Sequence, residues 1–249
     1  MQEPEILPSF EPRPPTMLPA LGCFAAVLAV FMMCLLPVFL VDVMQTALLR
    51  LHLSGPAASL AVLAILLGSM INIPVYRVPR QEMQPEIVMG LVYWGMMAPQ
   101  FRRVRQETVV AVNVGGCVVP ALIAAWQVRH LLTIGGPTAM ALLAVCALSI
   151  VVCWRAARPV AGIGILMPAF IAPLVCVGGT WLACRLWPGV GPENLAPIAF
   201  TAGVAGPIIG ADLLHLRDLL RTPVGIMSIG GAGTFDGIVL SGVMAALLA

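Results

Sequence analysis

The sequence predicts an all-α fold, a polytopic transmembrane helix bundle of about seven spans, on three observations. The first is composition: 60% of the 249 residues are hydrophobic and 10% are charged, where soluble domains average roughly 45–50% and 25%. The second is the recurrence of apolar stretches near 18–44, 55–74, 114–133, 138–154, 159–184, 194–214 and 224–249. Each reaches the roughly 17 residues that a membrane-crossing helix requires. The third is the placement of arginine. With a cytoplasmic N-terminus, Arg13, Arg77, Arg80, Arg102, Arg103, Arg105, Arg155, Arg158, Arg217 and Arg221 fall on the cytoplasmic side and only Arg50, Arg129 and Arg185 on the other. Positive charge accumulates on the cytoplasmic face, so the expected orientation is N-in and C-out in the cell inner membrane.

Residues 1–17 are acidic and proline-rich, which predicts a disordered tail in place of a basic-then-apolar leader. Residues 18–249 are expected to form a single membrane domain. Pro37 lies inside the first span, where a proline removes a helix hydrogen bond and favours a kink. The one long polar insertion runs from Arg77 to about Thr108. It contains β-branched and aromatic runs at Glu86 to Trp94 and Thr108 to Val112, the composition of a short β-hairpin in a cytoplasmic insertion. The seven cysteines fall mostly in apolar sequence without metal-ligand spacing, as small buried hydrophobes do. No metal centre and no cofactor are implied. The chain has no lysine, hence no Walker lysine, and its net charge of +2 comes without a polybasic run. A nucleotide-driven motor and a nucleic acid partner are therefore excluded; the expected partner is the lipid bilayer.

Two of the four aspartates interrupt this apolar pattern. Asp212 ends Gly206-Pro207-Ile208-Ile209-Gly210-Ala211-Asp212, and Asp236 follows Ser228-Ile229-Gly230-Gly231-Ala232-Gly233-Thr234-Phe235. A carboxylate within a span costs at least ~2.5 kcal/mol and normally lines a cavity, pairs, or carries ions or protons. Helical rise places Asp212 about 25 Å and Asp236 about 20 Å from the outer interface, close to one depth. Five glycines between Gly225 and Gly237 disfavour a continuous helix and predict an extended or turned entry to the last span. Non-helical backbone at membrane depth persists only inside protein or beside a watery cavity. Asn72-Ile73-Pro74 and Asn113-Val114-Gly115-Gly116 add breaks on the same side, as discontinuous helices around a substrate or ion do. The expected cavity lining is Asp212 and Asp236 as catalytic groups, with Asn72, Asn113, Gly230, Gly231, Gly233 and Thr234 binding substrate or ion.

The order Gly68-Ser69, Asn72-Ile73-Pro74, Asn113-Val114-Gly115-Gly116, Gly210-Ala211-Asp212-Leu213 and Ser228 through Gly237 resembles a prokaryotic polytopic membrane-protein family, domain of unknown function 1614. The resemblance covers about residue 55 to the end and implies a multi-pass membrane protein without specifying a reaction. The last third is also similar to GxGD-type intramembrane aspartyl proteases. Asp212, the amphipathic run Leu213 to Leu220, the extended stretch Val224 to Ile229 and the glycines before Asp236 follow that layout. Two residues separate Gly233 from Asp236, whereas in those proteases the aspartate follows the second glycine directly. Pro120-Ala121-Leu122 spells their third motif but stands upstream of both aspartates.

Three functions fit these residues. Paired carboxylates sharing one proton suit general acid and base work on a water, which makes the chain a diaspartyl intramembrane peptidase acting on a membrane peptide. With Asn72 and Asn113 as amide ligands, the same pair suits an ion- or proton-coupled transporter of a small solute. Aspartates tied to backbone donors at helix ends suit a non-catalytic scaffold. His215, three residues after Asp212, shares its helix face and reads as an interfacial residue before a metal ligand.

Overall fold

A computed structural model describes residues 18–86, 100–160, 164–221 and 226–249. The described chain divides into two units between Asp42 and Val43; the tail expected at residues 1–17 lies outside the described residues. The first contains most of helix α1 (Leu18–Leu49), which runs through Pro37. Its described side chains from Gly22 to Phe39 are all exposed, although apolar. An apolar surface of that kind faces lipid.

The second unit holds the bundle. After α2 (Gly55–Gly68) come strands β1 (Asn72–Glu86) and β2 (Gln100–Asn113). A π turn, Val114–Val118, leads into α3 (Val119–Ile134), and α4 (Gly136–Ala156) follows. Two three-residue strands, β3 (Arg158–Val160) and β4 (Gly164–Leu166), precede α5 (Ile171–Leu186). Helix α6 (Leu195–Ala205) passes into a π segment, Gly206–Leu213, and then into α7 (Leu216–Arg221). Strand β5 (Ile226–Ile229) and a turn lead to α8 (Gly237–Leu248).

Four helical runs, Gly22–Leu49, Val114–Ile134, Gly136–Ala156 and Pro192–Asp218, are long and apolar enough to cross a bilayer. The protein is accordingly a multi-pass membrane protein. Three further apolar helices, α2, α5 and α8, are shorter. At ~1.5 Å per residue, α8 reaches only ~18 Å and α2 ~21 Å, below the ~30 Å of a hydrocarbon core. Both give way to extended chain at the same end of the bundle, where sheet pairing takes over the backbone hydrogen bonds.

Helix α6 forms the centre, with every residue from Ala196 to Val204 buried. Small residues let its neighbours approach. A Cβ on Gly203 would lie 2.8 Å from the carbonyl oxygen of Ser241, and one on Gly242 would lie 2.8 Å from Val204. The Ser241 hydroxyl donates to the carbonyl of Gly203 across this contact. Gly206 and Gly210 repeat the arrangement against α4, where a Cβ would strike Ser149 Oγ and the carbonyl of Ile150. This is small-residue packing of the kind membrane helices use when water supplies no driving force.

The expected hairpin is present but longer and earlier than the composition implies. Strands β1 and β2 pair antiparallel from Asn72↔Asn113 to Glu86↔Gln100; residues 87–94 of the predicted strand run lie outside the described residues. Prolines at 74, 79 and 85 disguise β1 in the sequence, yet they suit its position. A bulge between Pro74 and Tyr76 resets the register, so the partners Ala111, Glu107 and Phe101 all lie an even number of residues apart. All three prolines thus share one kind of site on an edge strand, where a missing N–H leaves the ladder intact and blocks further pairing. On the other side of β2, β5 pairs in parallel, Val109↔Ile226 to Val112↔Ile229, giving the order β1-β2-β5. The span expected at 159–184 begins instead at Ile171, because Pro159 and Gly164, with φ +115°, divert the chain into the β3–β4 hairpin.

Gly116 packs against the turn that follows β5, and a Cβ there would collide with the carbonyl of Gly230. Gly116→Ala is expected to lower stability by ~1–3 kcal/mol through overpacking. Gly178→Ala, on α5 with open space around it, should be neutral or stabilising by up to ~1 kcal/mol. Thermal denaturation of the two variants in detergent checks the contrast.

Candidate functional site

The site grows from a junction of three chain segments. Where α2 ends, Gly68 meets the π turn after β2, and a Cβ on it would lie 2.9 Å from Gly115 N. Gly116 meets the turn after β5. There Gly230 (φ +71°) and Gly233 (φ +61°) take left-handed conformations that side-chain-bearing residues rarely adopt. A Cβ on Gly230 would stand 2.8 Å from Cys117, and one on Gly233 2.6 Å from Ser69 Cβ.

Polar side chains fasten this junction. Asn113 is fully buried; its Oδ1 accepts from Gly116 N at 2.7 Å, and its Nδ2 donates to Ser69 O at 2.8 Å and to Asn72 Oδ1 at 3.2 Å. Both amide hydrogens are thereby used. Asn72 Oδ1 also accepts from Ser228 Oγ at 2.6 Å, tying β5 to the foot of the hairpin. The hydroxyls of Ser69 and Thr234 lie 3.1 Å apart, and Ser69 donates to the carbonyl of Ile65 at 2.6 Å.

From Ser228 the chain descends through successive turns, Gly231 N to Ser228 O, Gly233 N to Gly230 O and Asp236 N to Gly233 O, and delivers Asp236 to the N-cap of α8. Asp236 Oδ1 accepts from Ile238 N at 3.0 Å and Oδ2 from Ala232 N at 3.3 Å. A carboxylate here serves the orphan donors and positive pole of the helix. Asp212 arrives from the other side on the π segment, whose geometry is marked by Leu214 N bonding Ile209 O at 3.0 Å. Such π turns within helices concentrate at functional sites. Asp212 is partly buried and its carboxylate makes no hydrogen bond among the described residues.

Both aspartates line one cavity of about 500 Å³. Its walls are β4 and the residues after it (Gly164 to Met167), Pro207 and Ala211 of the π segment, Leu216, strand β5 from Met227, the turn Gly230 to Ala232, and the start of α8. Of the residues expected there, Asp212, Asp236, Gly230 and Gly231 are on the wall. Asn72, Asn113, Gly233 and Thr234 belong to the junction behind it. His215 is buried, with Nδ1 2.9 Å from the carbonyl oxygen of Ala211 one turn back. The wall from β4 was not expected. The only signal for it in the sequence is the Pro159 and Gly164 break at the head of a supposed span.

The two carboxylates therefore differ in stability role. Asp236→Ala is expected to lower stability by ~0.5–2 kcal/mol through loss of the cap, whereas Asp236→Asn keeps the acceptor for Ile238 N, loses the one for Ala232 N and is expected to cost less. Asp212→Asn, which removes no observed hydrogen bond, is expected to change the thermal midpoint least. Unfolding of the three variants in one detergent checks the order.

A family model, described as a protein of unknown function (DUF1614), matches residues 66–248. No curated protein and no solved structure matches the chain. The match takes in the foot of the hairpin, the glycine junction, the π segment and both aspartates. The chain belongs to this DUF1614 family.

Proposed function

We propose that the protein is a diaspartyl intramembrane peptidase, with Asp212 and Asp236 as its catalytic pair. The observation that carries the reading is the presence of both carboxylates on the wall of one cavity, beside a strand whose outer edge is unpaired among the described residues. Like charges in one site oppose double ionisation, so such a pair holds a single proton between two groups. The ionised carboxylate takes a proton from water as the water oxygen attacks the peptide carbonyl carbon. The protonated partner hydrogen-bonds the carbonyl oxygen and later protonates the leaving nitrogen as the C–N bond breaks. Acid and amine products result, and the proton inventory is restored.

The asymmetry of the pair supports this assignment of roles. Asp236 is oriented by two backbone donors, as an acceptor should be, while Asp212 is unbound by any described residue and free to exchange a proton. The sheet supports the substrate class. Its β1 edge is closed by prolines, and within the described residues β5 has no neighbour on its far side. Met227, Ser228 and Ile229 of β5 lie on the cavity wall, so an extended peptide can add as a further strand. An ion-coupled transporter is less well supported, since the amides of Asn72 and Asn113 that would ligate a cation are engaged in the junction. The arginine distribution supports a cavity on the cytoplasmic side of the inner membrane.

Purified protein in detergent is expected to cleave a quenched fluorescent peptide carrying an apolar membrane segment. Asp212→Asn and Asp236→Asn should each reduce the rate by at least about a thousandfold, while retaining the fold. Cleavage at the wild-type rate by either variant overturns the paired mechanism. Gradient-driven solute uptake by reconstituted vesicles, without cleavage, would favour the transporter instead.

A further inference from the structure

The opposite end of the bundle carries a second cluster, independent of the carboxylate cavity. Arg50, just after α1, donates from Nη1 to the carbonyl oxygens of Leu247 at 2.9 Å and Ala246 at 3.5 Å, capping the C-terminal end of α8. The far end of that helix holds Asp236, so the two clusters are separated by nearly its full length. Two residues after Arg50, His52 has φ +60°, the one positive φ among the described non-glycine residues. Such a conformation is unfavourable for a residue with a side chain and persists where the surroundings impose it. The restraint is visible: Leu51 is fully buried and its carbonyl accepts from Gln127 Nε2 of α3 at 2.6 Å.

One turn along α3 from Gln127 stands His130. Trp126 stacks on it, with ring centres 6.1 Å apart and planes 12° from parallel. The ring centres of His52 and His130 lie 5.8 Å apart with planes tilted by 59°. Both imidazoles are exposed, and neither ring makes a hydrogen bond among the described residues. Each is held by something else, His52 through its pinned backbone and His130 through the indole. The Gln127 amide that reaches Leu51 leaves its Oε1 buried and without a partner among the described residues.

We propose that His52 and His130 form a two-imidazole clamp for a borderline divalent cation of the Zn²⁺ class. Neutral imidazoles are the usual side-chain ligands of such ions, with water completing the coordination shell. With metal–nitrogen bonds of ~2.0–2.1 Å in a tetrahedral shell, two ligating rings have centres about 5 Å apart. The observed 5.8 Å closes to that value by small side-chain rotation. The cation joins the α1–α2 connection to α3, two segments otherwise linked here through the Gln127 to Leu51 hydrogen bond. Arg50 and Arg129, the neighbouring cations in the sequence, set an upper limit on affinity by like-charge repulsion.

The test is Zn²⁺ titration of the full chain in detergent, by calorimetry, in a Cys23→Ser background that removes an exposed thiol. The expected result is saturable binding of one ion and a rise in thermal midpoint with Zn²⁺. His52→Asn keeps a side chain that tolerates positive φ, and His130→Gln keeps a helix former of similar length. Each is expected to weaken binding at least about tenfold and to abolish the Zn²⁺-dependent rise while leaving the metal-free midpoint near that of the parent. Absence of saturable binding by the parent overturns the proposal. So does binding by either variant within about threefold of the parent.

Discussion

Close approach of backbone to backbone at the glycine junction is the constraint on which the rest of the structure depends. Gly68, Gly115, Gly116, Gly230 and Gly233 stand where any Cβ would enter a neighbouring segment. Their contact brings the end of α2, the foot of the hairpin and the turn before α8 together. That contact lets Asn113 distribute its three hydrogen bonds among Ser69, Asn72 and Gly116. It also sets the path by which the turn places Asp236 at the head of α8. The junction is therefore structural in its chemistry, and its effect on the cavity is geometric.

The same physical logic explains why extended chain replaces helix at one end of the bundle. A span that stops short leaves backbone amides and carbonyls without partners, and lipid offers none. Here the β1–β2–β5 sheet absorbs them, and the parallel β2–β5 ladder runs into both the π turn and the glycine turn. At the other end, helix termini meet polar side chains directly. Arg50 serves the last carbonyls of α8, and Gln127 serves Leu51. The bundle thus has one end built from paired strands around a cavity and another built from side-chain caps around two imidazoles.

Within the cavity, the difference between the carboxylates follows from their elements. A residue at a helix N-cap is offered backbone donors by the geometry of the helix itself, and Asp236 accepts two. A residue inside a π segment is offered none by its own helix, and Asp212, on the cavity wall, accepts no hydrogen bond among the described residues. The packing of Gly206 and Gly210 against α4 holds that segment in place, so the partly buried Asp212 sits on a packed support. Hydroxyl and amide groups that a cation would need are drawn instead into the junction.

The membrane character and the helical runs were legible from composition and pattern, as was the unusual setting of Asp212 and Asp236, which the fold brings to one cavity wall. Apolar periodicity is a local property, and a carboxylate in apolar sequence is conspicuous wherever it lies. The glycines before Asp236 likewise announced a turn, because their backbone preference is intrinsic. The roles of Asn72 and Asn113 were not legible: each has the residue type of a ligand, and only the partners found across 41 and 44 residues of chain assign them to the junction. Strand β1 was hidden for the same reason, since its prolines argue against a strand until a neighbour on one side and none on the other among the described residues make them suitable. The β4 wall, the parallel pairing of β5 and the meeting of His52 with His130 depend on contacts between distant segments. Sequence determined which residues were unusual; tertiary structure decided their neighbours, because side-chain chemistry acts over a few ångströms while the groups that meet are far apart along the chain.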